Sequence, residues 1–145
     1  METAAALGLT NVAPDARLAE MAWGEWEGSR LADLRLGDGK VMRANEALGL
    51  DFTPPGGESP RQVYQRVRGL LAEVARDGRP VLAISHRGVI RSIFAHATGW
   101  DMRGKPPFKL DWTALHVFEL DSDGSPHVHL LNSELPPRIA GELPA

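Results

Sequence analysis

The apolar positions of this chain follow two periods, and the change from one to the other marks its best-defined elements. Val63, Val67, Leu70, Leu71 and Val74 recur at i, i+4, i+7, i+8 and i+11, one stripe along a helix. Ser59 is suited to cap that helix, Pro60 to its first position, and Gln62 stands where a capping box places its glutamine; Asp77-Gly78 ends it. Residues 80–85, Pro-Val-Leu-Ala-Ile-Ser, are then continuously apolar until the serine, which predicts a strand buried on both faces. His86-Arg87-Gly88 makes a turn. A second helix carries Val89, Ile90, Ile93, Phe94 and Ala97 inward, leaves Ser92 and His96 on its outer face, and stops at Gly99. Helix–strand–helix is the repeating part of an α/β sheet.

The flanks are less regular. Residues 2–7 are Ala-rich and halt at Gly8, like the last turns of a helix. Residues 11–28 have no period. Short helical patterns at 30–36 and 41–48 are separated by Gly37-Asp38-Gly39, and 52–57, with Pro54-Pro55-Gly56-Gly57, is a loop. Residues 112–120 and 127–131 have strand composition around the turn Asp121-Ser122-Asp123-Gly124, which predicts a C-terminal β-hairpin. These signals give one domain over residues 1–135 and a Pro-rich tail over 136–145.

Composition narrows the class. A chain of 145 residues with 43% hydrophobic and 24% charged positions is an ordinary globular domain. Sixteen basic and nineteen acidic residues are interspersed, for a net charge of -3, which argues against a nucleic-acid footprint. With 0 cysteines there are no disulfides, thiolate metal sites or cysteine nucleophiles. No run reaches the roughly eighteen apolar residues of a membrane span. The start, METAAALGLTNV, shows no signal-peptide pattern. A cytoplasmic location and no membrane partner are expected.

Candidate chemistry centres on Ser85-His86-Arg87-Gly88. It puts a histidine at the carboxyl end of a predicted strand, where ligands of open α/β sheets bind. The helix that follows offers free N–H groups and a positive dipole end to an anion. Arg87 adds a fork of donors, and Gly88 lets the backbone come close. The plainer reading is a histidine that merely finishes a strand. His127 and His129 lie on one strand face, as a metal pair would, but no third ligand is near in sequence and an exposed edge is the simpler account. His116 reads as structural. Trp23 and Trp26 suit either a pocket mouth or a core.

Ser-His-x-Gly after an apolar strand, with Gly57-Glu58-Ser59 opening the preceding helix and Arg66 within it, resembles the histidine phosphatase superfamily, the phosphoglycerate-mutase-like phosphatases. Arg17-Leu18-Ala19-Glu20 followed by Gly24-Glu25-Trp26-Glu27-Gly28 resembles its Leu-x-Glu and Gly-x-Trp-Glu-Gly segment. Glu2-Thr3-Ala4 resembles the end of its Arg-Ala-x-x-Thr-Ala helix. The resemblance implies a three-layer fold with a mainly parallel sheet, here N-terminally incomplete. It also implies a metal-independent reaction without cofactor on a phosphomonoester or phosphate. Its site residues carry over as Glu20, favoured by spacing over Glu25 and Glu27, and His86, both catalytic, with Arg87 and Gly88 binding substrate.

One departure matters. The family's nucleophile is the histidine of an Arg-His-Gly motif on its first strand, and no such motif occurs in this chain. The expectation is that this histidine and both pocket arginines lie upstream of Met1, in a missing unit of about thirty residues or more. Three readings follow from the resemblance: a phosphatase acting through phosphohistidine, a non-catalytic remnant that binds a phosphorylated ligand or partner, and a mutase-like phosphotransferase. Losing a central strand would expose the edge at residues 80–85 and favour homo-oligomers through it.

Overall fold

The computed structural model describes residues 2–37 and 39–134, so the tail expected at 136–145 lies outside the described residues. Among these residues five α-helices come first, with short 3-10 turns between some of them: α1 (Glu2–Ala6), α2 (Leu31–Gly37), α3 (Gly39–Glu46), α4 (Pro60–Asp77) and α5 (Arg87–Thr98). Two strands follow, β1 (Leu115–Leu120) and β2 (Pro126–Ser133).

Helix α4 forms as its caps direct. Ser59 Oγ accepts from the Gln62 N–H while Gln62 Oε1 accepts from the Ser59 N–H, and Gly78 closes the helix at φ 71°. Its buried Val63 and Val67 meet Val89 of α5 and Met21 of the irregular 11–28 segment, forming the core. Leu18, Trp23, Phe52, Leu71 and Ile93 pack around them. Trp23 and Trp26 each lie 6.0 Å from the Phe52 ring, so Trp23 serves the core.

Helix α5 sits rotated from the expected stripe. Val89 and Phe94 are buried as predicted, but Ser92 and Ala95 are buried with them. Ser92 Oγ donates to the Gly88 carbonyl at 2.8 Å, which satisfies the hydroxyl inside the helix and makes the side chain, in effect, a small apolar one. Polarity pointed Ser92 outward; local satisfaction lets it face in.

The larger correction concerns residues 80–85. They belong to no ladder, and Val81 and Ile84 are 59% and 36% exposed. A strand is defined by its hydrogen-bonded neighbours, and none of the described residues supplies one here. The only sheet among the described residues is the antiparallel β1–β2 hairpin. The chain is thus a mixed α/β structure with a C-terminal hairpin, and no strands pair in parallel among the described residues. Glu119 opposes His127 and Phe118 opposes Val128, with irregularities nearer the open end. Gly124, at φ 85° in the turn, lies against the backbone of Ala72 and seats the hairpin on α4.

Candidate functional site

Glu20 and the start of α5 meet across the core. Glu20 Oε1 accepts two backbone N–H bonds, from Met21 at 2.8 Å and from Gly88 at 3.0 Å. The first N–H groups of a helix have no partner within it and carry its positive dipole end, so a carboxylate there is doubly favoured. Glycine at 88 leaves room for this seat: a Cβ there would overlap Glu20 Oε1, the end of a flexible side chain, and lie 3.0 Å from Met21 Cβ. His86 is the N-cap of α5 by backbone geometry, at φ -116° and ψ 163°, and its side chain makes no capping bond. Its imidazole is exposed, two residues from the amide that holds Glu20. The Arg87 guanidinium lies 5.4 Å from the Trp112 ring centroid, a cation–π contact.

The loop that carries Glu20 is held from α4. Arg66 Nη2 donates to the carbonyls of Ala19 at 2.7 Å and Glu20 at 3.2 Å, and Nη1 donates to that of Arg17. Glu58 receives the same guanidinium at 2.9 and 3.1 Å and also accepts from the Ala22 N–H at 3.1 Å. The Glu58 N–H donates in turn to the Ala22 carbonyl at 2.8 Å. The Arg66 guanidinium, and then the Ala22 amide, hold the Glu58 carboxyl below the usual carboxylate range against the opposing effect of burial. Ser85 Oγ reaches the Leu18 carbonyl at 2.9 Å, joining the approach to His86 to the same loop.

The structure therefore brings together Glu20, Gly88 and, by sequence adjacency, His86, while Arg87 turns to Trp112. The other histidines are engaged elsewhere. His96 stacks on Tyr64, His116 Nδ1 accepts from the Asn132 N–H, His127 pairs with Asp121 at 2.7 Å and His129 with Glu119 at 2.8 Å. Among the described residues no three or more His, Asp or Glu side chains are placed to hold a metal ion. No helix among them is long and apolar enough to cross a membrane. An open apolar groove lined by Ala4, Ala5, Leu9 and Val12 shares no residue with the site.

Residues 1–134 match the family described as histidine phosphatase superfamily (branch 1). The chain belongs to the histidine phosphatase superfamily. The bifunctional protein Rv2228c of Mycobacterium tuberculosis is 32% identical to it over 132 residues, and an uncharacterized protein of Mycobacterium bovis, Mb2253c, matches equally. Those matches cover 90% of this chain but 36% of each relative, so the chain spans about a third of their length. Among solved structures, Bacillus stearothermophilus YhfR superposes with a TM-score of 0.65 at 25% identity, over 84% of this chain and 61% of that one. Mycobacterial glucosyl-3-phosphoglycerate phosphatase Rv2419c, in complex with inorganic phosphate, superposes at 0.69 with 23% identity, over 90% and 69% of the two chains. At that identity the second likeness concerns the fold.

What sequence reading missed in this histidine phosphatase domain is the Glu58–Arg66 clamp. Both residues were visible as motif members, but nothing in a one-dimensional pattern shows that a guanidinium on α4 gathers three carbonyls from residues 17–20.

Proposed function

We propose that this chain carries the acid and anion-binding half of a phosphomonoester hydrolase that works through phosphohistidine. The observation that carries the reading is Glu20 seated on the Gly88 amide in the first turn of α5, two residues after His86. In the reaction, an imidazole nitrogen attacks phosphorus in line, the N–P bond forms and the ester P–O bond breaks. Glu20 gives its proton to the departing alkoxide. It then takes a proton from water, whose oxygen displaces the histidine as the N–P bond breaks. Outward movement of Glu20 frees the Gly88 N–H for a phosphoryl oxygen, to which His86 adds a hydrogen-bond donor and Arg87 a positive charge.

The attacking histidine is proposed to come from outside these 145 residues, because the four histidines other than His86 make their contacts away from Glu20, with Tyr64, Asn132, Asp121 and Glu119. A strand bearing it would pair with residues 80–85 and complete a three-layer, mainly parallel sheet; the bare edge at Val81 and Ile84 supports this placement. The phosphate-bound neighbour makes a phosphate-type ligand the natural probe. The same engagement of the remaining histidines favours a second reading, a non-catalytic phosphate-binding domain.

The test is to read the gene in frame upstream of the Met1 codon for Arg-His-Gly and to assay the extended protein on p-nitrophenyl phosphate. Turnover is expected only in the extended form, with His86→Ala lowering it by about a hundred- to a thousandfold. Turnover by the 145-residue chain alone, lost in His86→Ala, would overturn the nucleophile assignment. An extended protein that binds phosphate without turnover would establish the second reading.

A further inference from the structure

We infer that Arg66, braced by Glu58, is a positioning residue whose clamp on residues 17–22 sets the Glu20 carboxylate on the Gly88 amide. The inference rests on the reading of Glu20 as the acid of the proposed reaction. Its physical basis is the hydrogen-bond inventory around one guanidinium.

Residues 19–23 have neither helix nor strand to fix them, so their backbone polar groups need partners from elsewhere. Arg66 supplies donors to the carbonyls of Arg17, Ala19 and Glu20, and Glu58 supplies both an acceptor and a donor to Ala22. Glu20 is thus gripped on both sides by groups that share one ion pair. The ion pair is itself well placed: Glu58 directly precedes the N-cap Ser59, and Arg66 lies two turns into α4, on the longest helix of the chain. Both side chains are partly buried, at 23% and 27% exposure, and the fork is anchored by five hydrogen bonds to Glu58 and to the carbonyls of Arg17, Ala19 and Glu20. A planar guanidinium serves a carboxylate and several carbonyls at once; a lysine ammonium in its place could reach fewer of them.

Glu20 makes its own contact with α5 only through its side chain, and that contact depends on where the loop sets its Cα. A shift of about 1 Å suffices to break a 3.0 Å hydrogen bond, so the clamp is what converts a carboxylate near α5 into one seated on it.

The experiment follows backbone amides of the full chain by NMR hydrogen exchange in Arg66→Met, Arg66→Lys and Glu58→Gln, each also combined with Glu20→Gln. In the unaltered chain Glu20→Gln is expected to shift the Gly88 amide resonance and speed its exchange. In Arg66→Met, Gly88 should already exchange about tenfold faster, as loss of a bond to a charged acceptor implies. Glu20→Gln should then add no further shift. Val67 and Ile90, inside α4 and α5, should stay protected, and Arg66→Lys should recover part of the effect. Gly88 still protected and still sensitive to Glu20→Gln in Arg66→Met would overturn the inference. If that variant loses protection throughout, Glu58→Gln decides: it leaves the fold's backbone bonds in place, and the absence of selective loss at Gly88 would overturn the inference. None of these readouts needs turnover, so a chain that hydrolyses nothing leaves this result standing.

Discussion

Glycine 88 shows how one side chain's absence builds a site. Its N–H and the volume where a Cβ would lie are both given over to Glu20. Gly88→Ala therefore sets two effects against each other. Alanine in the first turn of α5 gains helix propensity, about 1 kcal/mol at most. The new methyl group expels a carboxylate that has room to move, since it is the end of a flexible side chain. The expected outcome is a Tm within a few degrees of the parent, because a net change near 1 kcal/mol moves a domain of this size by only that much. Fast exchange at the Met21 amide would report the displaced carboxylate; a Met21 amide as protected as before would show that Glu20 keeps its place. The sequence disclosed Gly88 as a place for close approach, but the approach it foresaw was that of a substrate. That a carboxylate 68 positions away fills the space is a tertiary fact, and no local pattern encodes it.

Elements add constraints that single residues do not. The hairpin is legible in the sequence because turn chemistry and strand composition are local, and its observed strands fall within a few residues of the expected ones. Its docking on α4 is not legible, since it depends on Gly124 meeting Ala72. Gly124→Ala would force a side chain into backbone 2.5–2.6 Å away, at a positive φ that L residues avoid. A loss of about 2–3 kcal/mol in urea unfolding is expected, from strain and overpacking together; an unchanged midpoint would show that the hairpin is not seated there. The α4–α5 contact carries a second prediction, one of pH. His96 of α5 stacks on Tyr64 of α4, ring centroids 3.3 Å apart. Burial first, then Arg61 and Arg68, hold its imidazole below the ordinary value of 6.5. The unfolded chain thus takes up this proton more readily than the folded one. Stability is full above about pH 6.5 and declines as pH falls toward the depressed folded value. The Glu58 and Glu73 carboxyls, held low by Arg66 and Arg17, act in a separate and more acid window: they stabilise above about pH 4.5 and lose that contribution below it. Urea midpoints of the parent should drop between about pH 7.5 and about pH 5.5 more steeply than those of His96→Gln. Equal slopes would remove His96 from the account.

At the scale of the whole molecule, the segment 80–85 joins the fold to its chemistry. Its composition predicts a strand. Pairing, however, is a property of two segments, and the only ladder among the described residues joins β1 and β2. The outcome is a run outside any ladder, held at one end by Ser85 on the Leu18 carbonyl, with no ladder partner among the described residues for its amides and carbonyls and with Val81 and Ile84 59% and 36% exposed. An apolar strand with an open edge is a template for another chain. The 145-residue chain is therefore expected to self-associate at micromolar concentration, with the 80–85 amides slowed in hydrogen exchange as concentration rises. Val81→Lys places a charge on the exposed face without touching the buried Val63, Val67 and Val89, and charged edges are how sheets resist pairing. Sedimentation velocity should show the variant shifted toward monomer while its helical circular dichroism is retained. Association undiminished in Val81→Lys would place the contact elsewhere, on the exposed Leu36 and Val41 of α2 and α3 for instance. A parent chain that stays monomeric would mean that the edge is protected in solution by the chain itself.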